Sequence, residues 1–446
     1  MPLSLTVLLL ILLSCLPTIC AASIHLPLSR RGGRFANHEP AKLDLLANTL
    51  TRVEKKYTHT HRKPEHNHLV RKWSSGHHVI DDDYLFTAPG HDGAWYATLA
   101  IGDPPQNLEF DLDMLGPDLY TLMTTTSENT FIHSLCSQYS ELFDLDALAS
   151  PVRLQLPVCI APKTSALTLL PSGSVLGLGL PGSLSRMPGA EFVSQLRMSG
   201  VISEAIWSIT ILDAETGILS LGSTLAEVVE EAKTRAEIEL QHYGHSLATP
   251  EWVDEQLNLK LEVAMPEGSK FDQHFKWSDL SGAAGWWTSL MPGVWVNGVK
   301  VLRNQPVLFD VQCPFILAPP SAVSRFYDSI GGSMRLPAPH DNFFAFPCLN
   351  HVSIVLELGG WNFPSISGET SRADTLHGPA GGRFSLGKAG NGTGHCIGAV
   401  VETRMESRRD WEESGMRGTW VLGEPFFRSM GVVFDATNQR IGFRSY

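Results

Sequence analysis

Beyond residue 94 the chain is written in short apolar runs broken by Gly, Pro and Asp, the pattern of a largely antiparallel β protein. Runs at 94–101, 108–112, 206–212, 295–302 and 352–358 predict strands, since β-branched and aromatic side chains pack well on a half-buried pleated surface. Helical spacing stands out in one block. Thr224-Leu225-Ala226-Glu227 has capping-box spacing, and Leu225, Val228, Val229 and Ala232 recur at helical intervals. A second helix is expected to start at Thr249-Pro250, with Pro at the first helical position. Residues 224–265 therefore predict a helical insertion. Packing between its flanking halves is its simplest role, and its amphipathic face leaves a partner-binding surface as the alternative.

One apolar pattern occurs twice. Phe110-Asp111-Leu112-Asp113 and Val307-Leu308-Phe309-Asp310 each end a short apolar run on an aspartate, and each is followed by a second apolar stretch. In both cases a Leu-Gly pair comes later, Leu176-Gly177 and Leu422-Gly423. A lone Asp reads as a turn or cap residue. Two in matched contexts suggest two similar lobes facing a shared cleft, with Asp113 and Asp310 at equivalent places.

At 446 residues the chain is long enough to bury two sizeable cores. Its beginning indicates where it acts. Residues 5–19 are mostly apolar, are broken by Pro17 and lead into Cys20-Ala21-Ala22, small residues suited to signal-peptide cleavage after Ala22. That run is short for a membrane span, and no later segment reaches about 18 uninterrupted apolar residues. Residues 1–22 thus predict a secreted protein without a membrane span.

Residues 23–78 differ sharply from the rest. From 24 to 78 there are 11 Lys and Arg against 4 Asp and Glu, with 8 of the 17 histidines, whereas the chain from Val79 onward has 23 basic against 42 acidic residues. A segment at net +7 tethered to a body at −19 acts on it at high effective concentration, which predicts an intramolecular mask, a prosegment. Basic pairs at Lys55-Lys56, Arg62-Lys63 and Arg71-Lys72 offer processing sites. His59, His61, His66, His68, His77 and His78 are closely spaced, but no Cys or carboxylate set completes a site, so no metal and no other cofactor is expected. A total charge of −12 on an exported chain argues against nucleic acid as a partner.

Five cysteines follow residue 22, namely Cys136, Cys159, Cys313, Cys348 and Cys396. An oxidising compartment favours pairs and leaves one over. Asn391-Gly392-Thr393 is a glycosylation sequon in a Gly-rich stretch suited to an exposed loop.

Several longer motifs carry a resemblance. Tyr96-Ala-Thr-Leu-Ala-Ile-Gly-Asp-Pro-Pro-Gln106, Ser174-Val-Leu-Gly-Leu178, Ile218-Leu-Ser-Leu-Gly222, Thr419-Trp-Val-Leu-Gly-Glu-Pro-Phe-Phe427 and the closing stretch 431–443 are similar to segments of the pepsin-like aspartic endopeptidases, from about Tyr84 to the C-terminus. The resemblance implies an all-β, bilobal pepsin-like fold with the helical insertion between lobes at 79–223 and 266–446. It implies that Asp113 and Asp310 are the catalytic pair, and that an extended peptide or unfolded protein lies in the interlobe cleft of a monomer, where the chain's own prosegment competes with it. It also implies a disulfide between Cys348 and Cys396. Cys136 with Cys159 is the remaining pairing, less close to the family's pattern, and Cys313 is then a buried thiol filling apolar space beside the pair.

The same comparison shows departures. Where the family has Asp-Thr-Gly or Asp-Ser-Gly, this chain has Asp113-Met114-Leu115 and Asp310-Val311-Gln312, and the hydroxyl that follows in each lobe is replaced by Gly116 and Cys313. Leu115 and Gln312 are expected to push side chains toward the carboxylates. The covering hairpin, which in the family carries a Tyr and a Gly-rich turn, has only Tyr139 to offer between the Asp113 loop and Ser174. Two readings follow. The departures favour a weakly active or non-catalytic peptide-binding relative, and the alternative is an active endopeptidase cutting peptide bonds at acid pH through Asp113 and Asp310. A structural secreted protein is a third.

Overall fold

The computed structural model describes residues 24–31, 41–60, 94–122, 137–145, 152–161, 173–181, 191–212, 215–222, 275–281, 285–350, 352–359, 361–366, 384–390, 393–405 and 416–445. The signal segment, the 224–265 insertion, Cys136, Asn391 and the pairs at 62–63 and 71–72 lie outside these residues.

Strands dominate. The first half holds β1 (Ile24–Arg30), α1 (Leu43–Thr60), β2 (Trp95–Ile101), β3 (Gln106–Asp113), β4 (Leu119–Leu122), β5 (Ser137–Leu145), β6 (Val152–Ala161), β7 (Ser174–Gly177), α2 (Phe192–Met198), β8 (Ile206–Ile211) and β9 (Thr216–Leu221). The second half holds β10 (Lys276–Asp279), β11 (Thr288–Val296), β12 (Val299–Phe309), β13 (Ile316–Ala318), α3 (Pro320–Asp328), β14 (Met334–Arg335), β15 (Phe344–Pro347), β16 (Ile354–Leu358) and β17 (Trp361–Ile366). It continues with β18 (Ser385–Lys388), β19 (His395–Gly398), β20 (Val400–Glu402), β21 (Trp420–Leu422), α4 (Glu424–Phe427), β22 (Met430–Asp435) and β23 (Arg440–Ser445).

These form a mostly β, pepsin-like architecture of three sheets. A 12-stranded sheet runs β10-β23-β22-β8-β9-β1-β2-β3-β7-β4-β6-β5, with β5 also pairing back onto β2. A 7-stranded sheet runs β17-β16-β11-β12-β21-β13-β20, and a 4-stranded sheet runs β14-β15-β19-β18. The disulfide Cys348–Cys396 ties the end of β15 to β19. One continuous buried cluster includes side chains from β1, α1, both large sheets and the closing strands. Trp287 packs within it at 5.1 Å from Trp207 and 5.0 Å from Phe434, edge on to both. No helix among the described residues is long and apolar enough to cross a membrane.

The duplicated Asp pattern has a duplicated structure. β3 runs parallel to β7, with Asp113 opposite Gly177, and β12 runs parallel to β21, with Phe309 opposite Leu422. Each crossing strand also pairs antiparallel with the strand after the Asp loop, β4 or β13. Gly177 and Gly423 are required here because a Cβ on either would collide with loop backbone, at Pro117 and Asp118 in one case and at Cys313 and Phe315 in the other.

Two expectations need correction. The 295–302 run is not one strand but the tip of the β11–β12 hairpin, turning at Asn297 (φ 50°) and Gly298 (φ 79°). Asn-Gly in the left-handed region matches the twist of a two-residue hairpin turn, and that signal outweighs the apolar run. Among the described residues there are also helices outside the one block that the sequence singles out. α1 has Leu43, Leu46, Leu50, Val53 and Tyr57 at alternating spacings of three and four, the mark of an amphipathic helix, and the last four are buried. α3 begins at Pro320, with Pro319 as its N-cap, a stop signal for strands and a favourable start for a helix.

β1 lies between β9 and β2, inside the largest sheet. Ile24, Leu26 and Leu28 face the core, and His25 is buried against Ser220, its Nδ1 at 2.9 Å from Ser220 Oγ. Burial pulls the His25 pKa down to about 4.

Candidate active site

Asp113 is the last residue of β3 and Asp310 directly follows β12, so the two parallel crossings carry both aspartates into adjacent loops. Backbone N–H groups hold each carboxylate. Leu115 N donates to Asp113 Oδ1 (3.1 Å) and Gly116 N to Asp113 Oδ2 (3.1 Å), while Gln312 N donates to Asp310 Oδ1 (3.0 Å). Such donors favour the charged carboxylate and fix its plane.

The two carboxylates share one cation. Lys56 Nζ, near the end of α1, is 2.9 Å from Asp310 Oδ2 and 3.6 Å from Asp113 Oδ1. Tyr57 donates its hydroxyl to the same Asp310 Oδ2 at 2.7 Å. Asp310 is fully buried, whereas a quarter of the Asp113 side chain remains exposed. Burial pushes the Asp113 carboxyl above its ordinary value; the Lys56 ammonium and the Leu115 N–H oppose that shift, and Asp310 adds to it. Burial also disfavours the Lys56 charge, but Asp310 and Asp113 more than offset it and raise the Lys56 pKa. Tyr57 is held well above its usual range by burial and then by the Asp310 charge. Lys56 is thus engaged and helical, not an open half of a basic processing pair, as the Lys55-Lys56 sequence suggests.

The expected intrusion of Leu115 and Gln312 does not occur. Leu115 turns its side chain into the buried core while its N–H serves Asp113. The crowded position in this loop is instead Gly116, where a Cβ would stand 2.9 Å from Asp113 Oδ2. Gln312 sends its side chain across to the other acidic loop: Trp95 N donates to Gln312 Oε1 at 2.9 Å, and Gln312 Nε2 donates to Trp95 O at 2.6 Å and Leu112 O at 3.0 Å. Trp287 makes a second such link, its Nε1 donating to Leu178 O at 3.0 Å while its own carbonyl accepts from Phe309 N. Sequence spacing gives no hint of these directions.

Cys313 is a buried free cysteine whose Sγ lies 3.3 Å from Phe315 O. Burial, then the Asp310 charge, pushes its thiol up to about 12, so thiolate chemistry is suppressed. Tyr139 lies in β5 opposite Val158. Asp144, near the end of β5, pairs with Ala100, at the far end of β2 from Tyr96, which pairs with Asp111. Cys159 sits in β6 opposite Tyr120. Among the described residues no group of three or more His, Cys, Asp or Glu is arranged to hold a metal.

The N-terminal segment reaches the site at further points. Arg30 donates to Glu424 Oε2 at 3.0 Å, both side chains nearly buried, and Arg31 pairs with Asp111 at 2.9 Å. Glu54 accepts from Thr403 Oγ1 at 2.8 Å and from Arg404 N at 2.7 Å.

No family model matches the chain. It is similar to an aspartic protease of Phaffia rhodozyma, 20% identical over 96% of this chain and 92% of that protein. It is 21% identical to the aspartic-type endopeptidase ctsD of Aspergillus fumigatus over 79% of this chain and 66% of that one, and 23% identical to aspergillopepsin-1 of the same species over 40% and 38%. Two aspartates in twin strand crossings, together with similarity along nearly the whole chain, support a relationship to the pepsin-like aspartic proteases.

Proposed function

We propose that the protein is an aspartic-type endopeptidase, made for export in a self-masked form, that cuts unfolded protein at acid pH. The observation that carries this is the support of the acidic pair: each carboxylate keeps at least one backbone N–H donor, and both lie within 4 Å of a single ammonium. Once the ammonium leaves, the Asp310 charge disfavours ionisation of Asp113, which favours one shared proton in this reading. The ionised member takes a proton from water as the water oxygen bonds to the peptide carbon, and the protonated member donates to the carbonyl oxygen. The tetrahedral carbon then collapses: one of its two hydroxyls returns its proton to the pair as the C=O re-forms, the C–N bond breaks, and the amine leaves with the proton the pair had held.

In the masked form Lys56 occupies the place of that water, and Tyr57 takes another lone pair of Asp310. Acid weakens the mask by protonating the carboxylates. Asp113, with its raised pKa, gives up its charge at a higher pH than an ordinary carboxylate, and Lys56 then loses a partner. Secretion and release of a segment within 23–78 belong to this reading, supported by the apolar start of the chain and the charge contrast.

A non-catalytic peptide binder is the second reading, favoured by Gly116 and Cys313, which supply no hydroxyl beside the carboxylates. Acid-treated protein digesting denatured substrate at about pH 3 to 5, with Asp113→Asn and Asp310→Asn inert, supports the enzyme. Undiminished activity in both variants, or an inert parent that still binds peptide, rejects it.

A further inference from the structure

We infer that Gln312 is a positioning residue that locks the two acidic loops at a fixed separation. Gln312 contacts both loops at once: its backbone N–H holds Asp310 Oδ1, and its side-chain Nε2 holds the carbonyl of Leu112, the residue immediately before Asp113. The same amide makes a two-way pair with Trp95, accepting from its N–H and donating to its C=O. Those two bonds copy the exchange between opposed residues of an antiparallel ladder. β2 and β3 pair as far as Tyr96 opposite Asp111, and the Gln312 amide continues that ladder by one step with atoms supplied by the other half of the chain.

The chemistry fits glutamine closely. Both N–H bonds of the amide nitrogen and one lone pair of its oxygen are used, and the residue is buried at 3% exposure. A glycine could not reach these atoms, and a hydroxyl has one proton to give where two carbonyls wait. The partners are backbone atoms, so no change of side chain at Trp95 or Leu112 removes them, and Gln312 is the only handle on the link. The distance between the carboxylates decides whether they share one proton, so a link spanning the two loops governs the pair without touching substrate.

The role in turnover rests on the endopeptidase reading, whereas the link itself does not, and the test separates them. Gln312→Glu is informative because a protonated carboxyl keeps one acceptor and one donor, and an ionised carboxylate faces two carbonyls with neither proton. Gln312→Met keeps the length and loses every side-chain bond. In the full chain, melting compared with the parent at each pH should show the Glu variant close to parent near pH 4 and clearly lower near pH 7, with the Met variant lower at both. In acid-released protein, kcat of the Glu variant should match the parent within about threefold near pH 3 and fall by about tenfold as the side chain ionises above its ordinary value of about 4.3. KM should stay unchanged, and the Met variant should be down about tenfold or more throughout. Superimposable pH profiles for the Glu variant and the parent in melting would overturn the link. A Met variant that melts low yet keeps parental kcat would overturn the positioning role. An inert parent removes the endopeptidase reading and the role in turnover with it, and melting alone then decides the link.

Discussion

The two acidic loops share one backbone plan and differ in what supports their carboxylates. The Asp113 loop is self-sufficient: two N–H groups of its own backbone serve both carboxylate oxygens, and the side chain keeps a path to solvent. The Asp310 loop draws its support from elsewhere. One N–H comes from its own backbone, while Lys56 and Tyr57 of α1 fill the remaining oxygen, and the carboxylate is fully buried. α1 therefore clamps the second loop and only grazes the first. Duplication conserves the strand crossing, which backbone geometry dictates, and leaves the loop chemistry free to diverge.

The sharpest test of this asymmetry is removal of each charge. Asp113→Asn and Asp310→Asn should each lower peptide hydrolysis by about 10³-fold or more, and the double variant little further, because the pair acts as one unit. In the full chain only Asp310→Asn should loosen α1 strongly, as followed by the susceptibility of residues 43–60 to an added protease. Equal loosening by both would dissolve the comparison.

Lys56→Met removes the shared cation. Leaving the buried Asp310 charge without its ammonium should destabilise the masked form by about 3 to 5 kcal/mol near neutral pH, read from denaturant unfolding. The variant should also hydrolyse substrate near pH 5 without prior acid treatment. A variant as tightly masked as the parent would mean that Tyr57 and Glu54 suffice.

His25 tests the other flank, beside the first loop's strands. Its folded pKa of about 4 lies below the ordinary histidine value of 6.5, so its burial favours folding above pH 6.5, and that contribution is lost as pH falls from 6.5 toward 4. The loss is at most about 3 kcal/mol. His25→Gln should flatten this part of the acid dependence in melting scans. If the slope between pH 6.5 and 4 persists in the variant, His25 is not its source.

Leu115→Ala should have the smallest effect on chemistry. Truncating this buried side chain should lower stability by about 2 to 3 kcal/mol, with kcat per folded molecule unchanged, because only its N–H faces Asp113. A large loss of kcat would show that the first loop is less self-sufficient than its geometry indicates.

Much of this was legible beforehand. Strand periodicity located β2, β3, β8 and β16, and the repeated apolar-Asp motif marked the residues that the crossings bring together. What stayed hidden depends on side-chain direction. Leu115 and Gln312 follow the aspartates at positions where the sequence suggests obstruction, yet χ torsions turn one into the core and the other onto Trp95 and Leu112, and linear spacing does not encode those torsions. α1 was readable from its three-and-four spacing but lay within a segment dominated by its charge. Asn297-Gly298 was readable too, behind an apolar run that continues through the turn.

The seat of β1 has one more consequence. Nine backbone pairings hold this strand between β9 and β2, and its apolar face belongs to the core. On the self-masked reading, a cut anywhere in 61–93 would leave β1 in the sheet and yield a nicked, two-chain complex. Before the cut the mask is intramolecular and indifferent to dilution. Afterwards its hold follows mass action. Dilution, and not only acid, then becomes a way to switch the protein on.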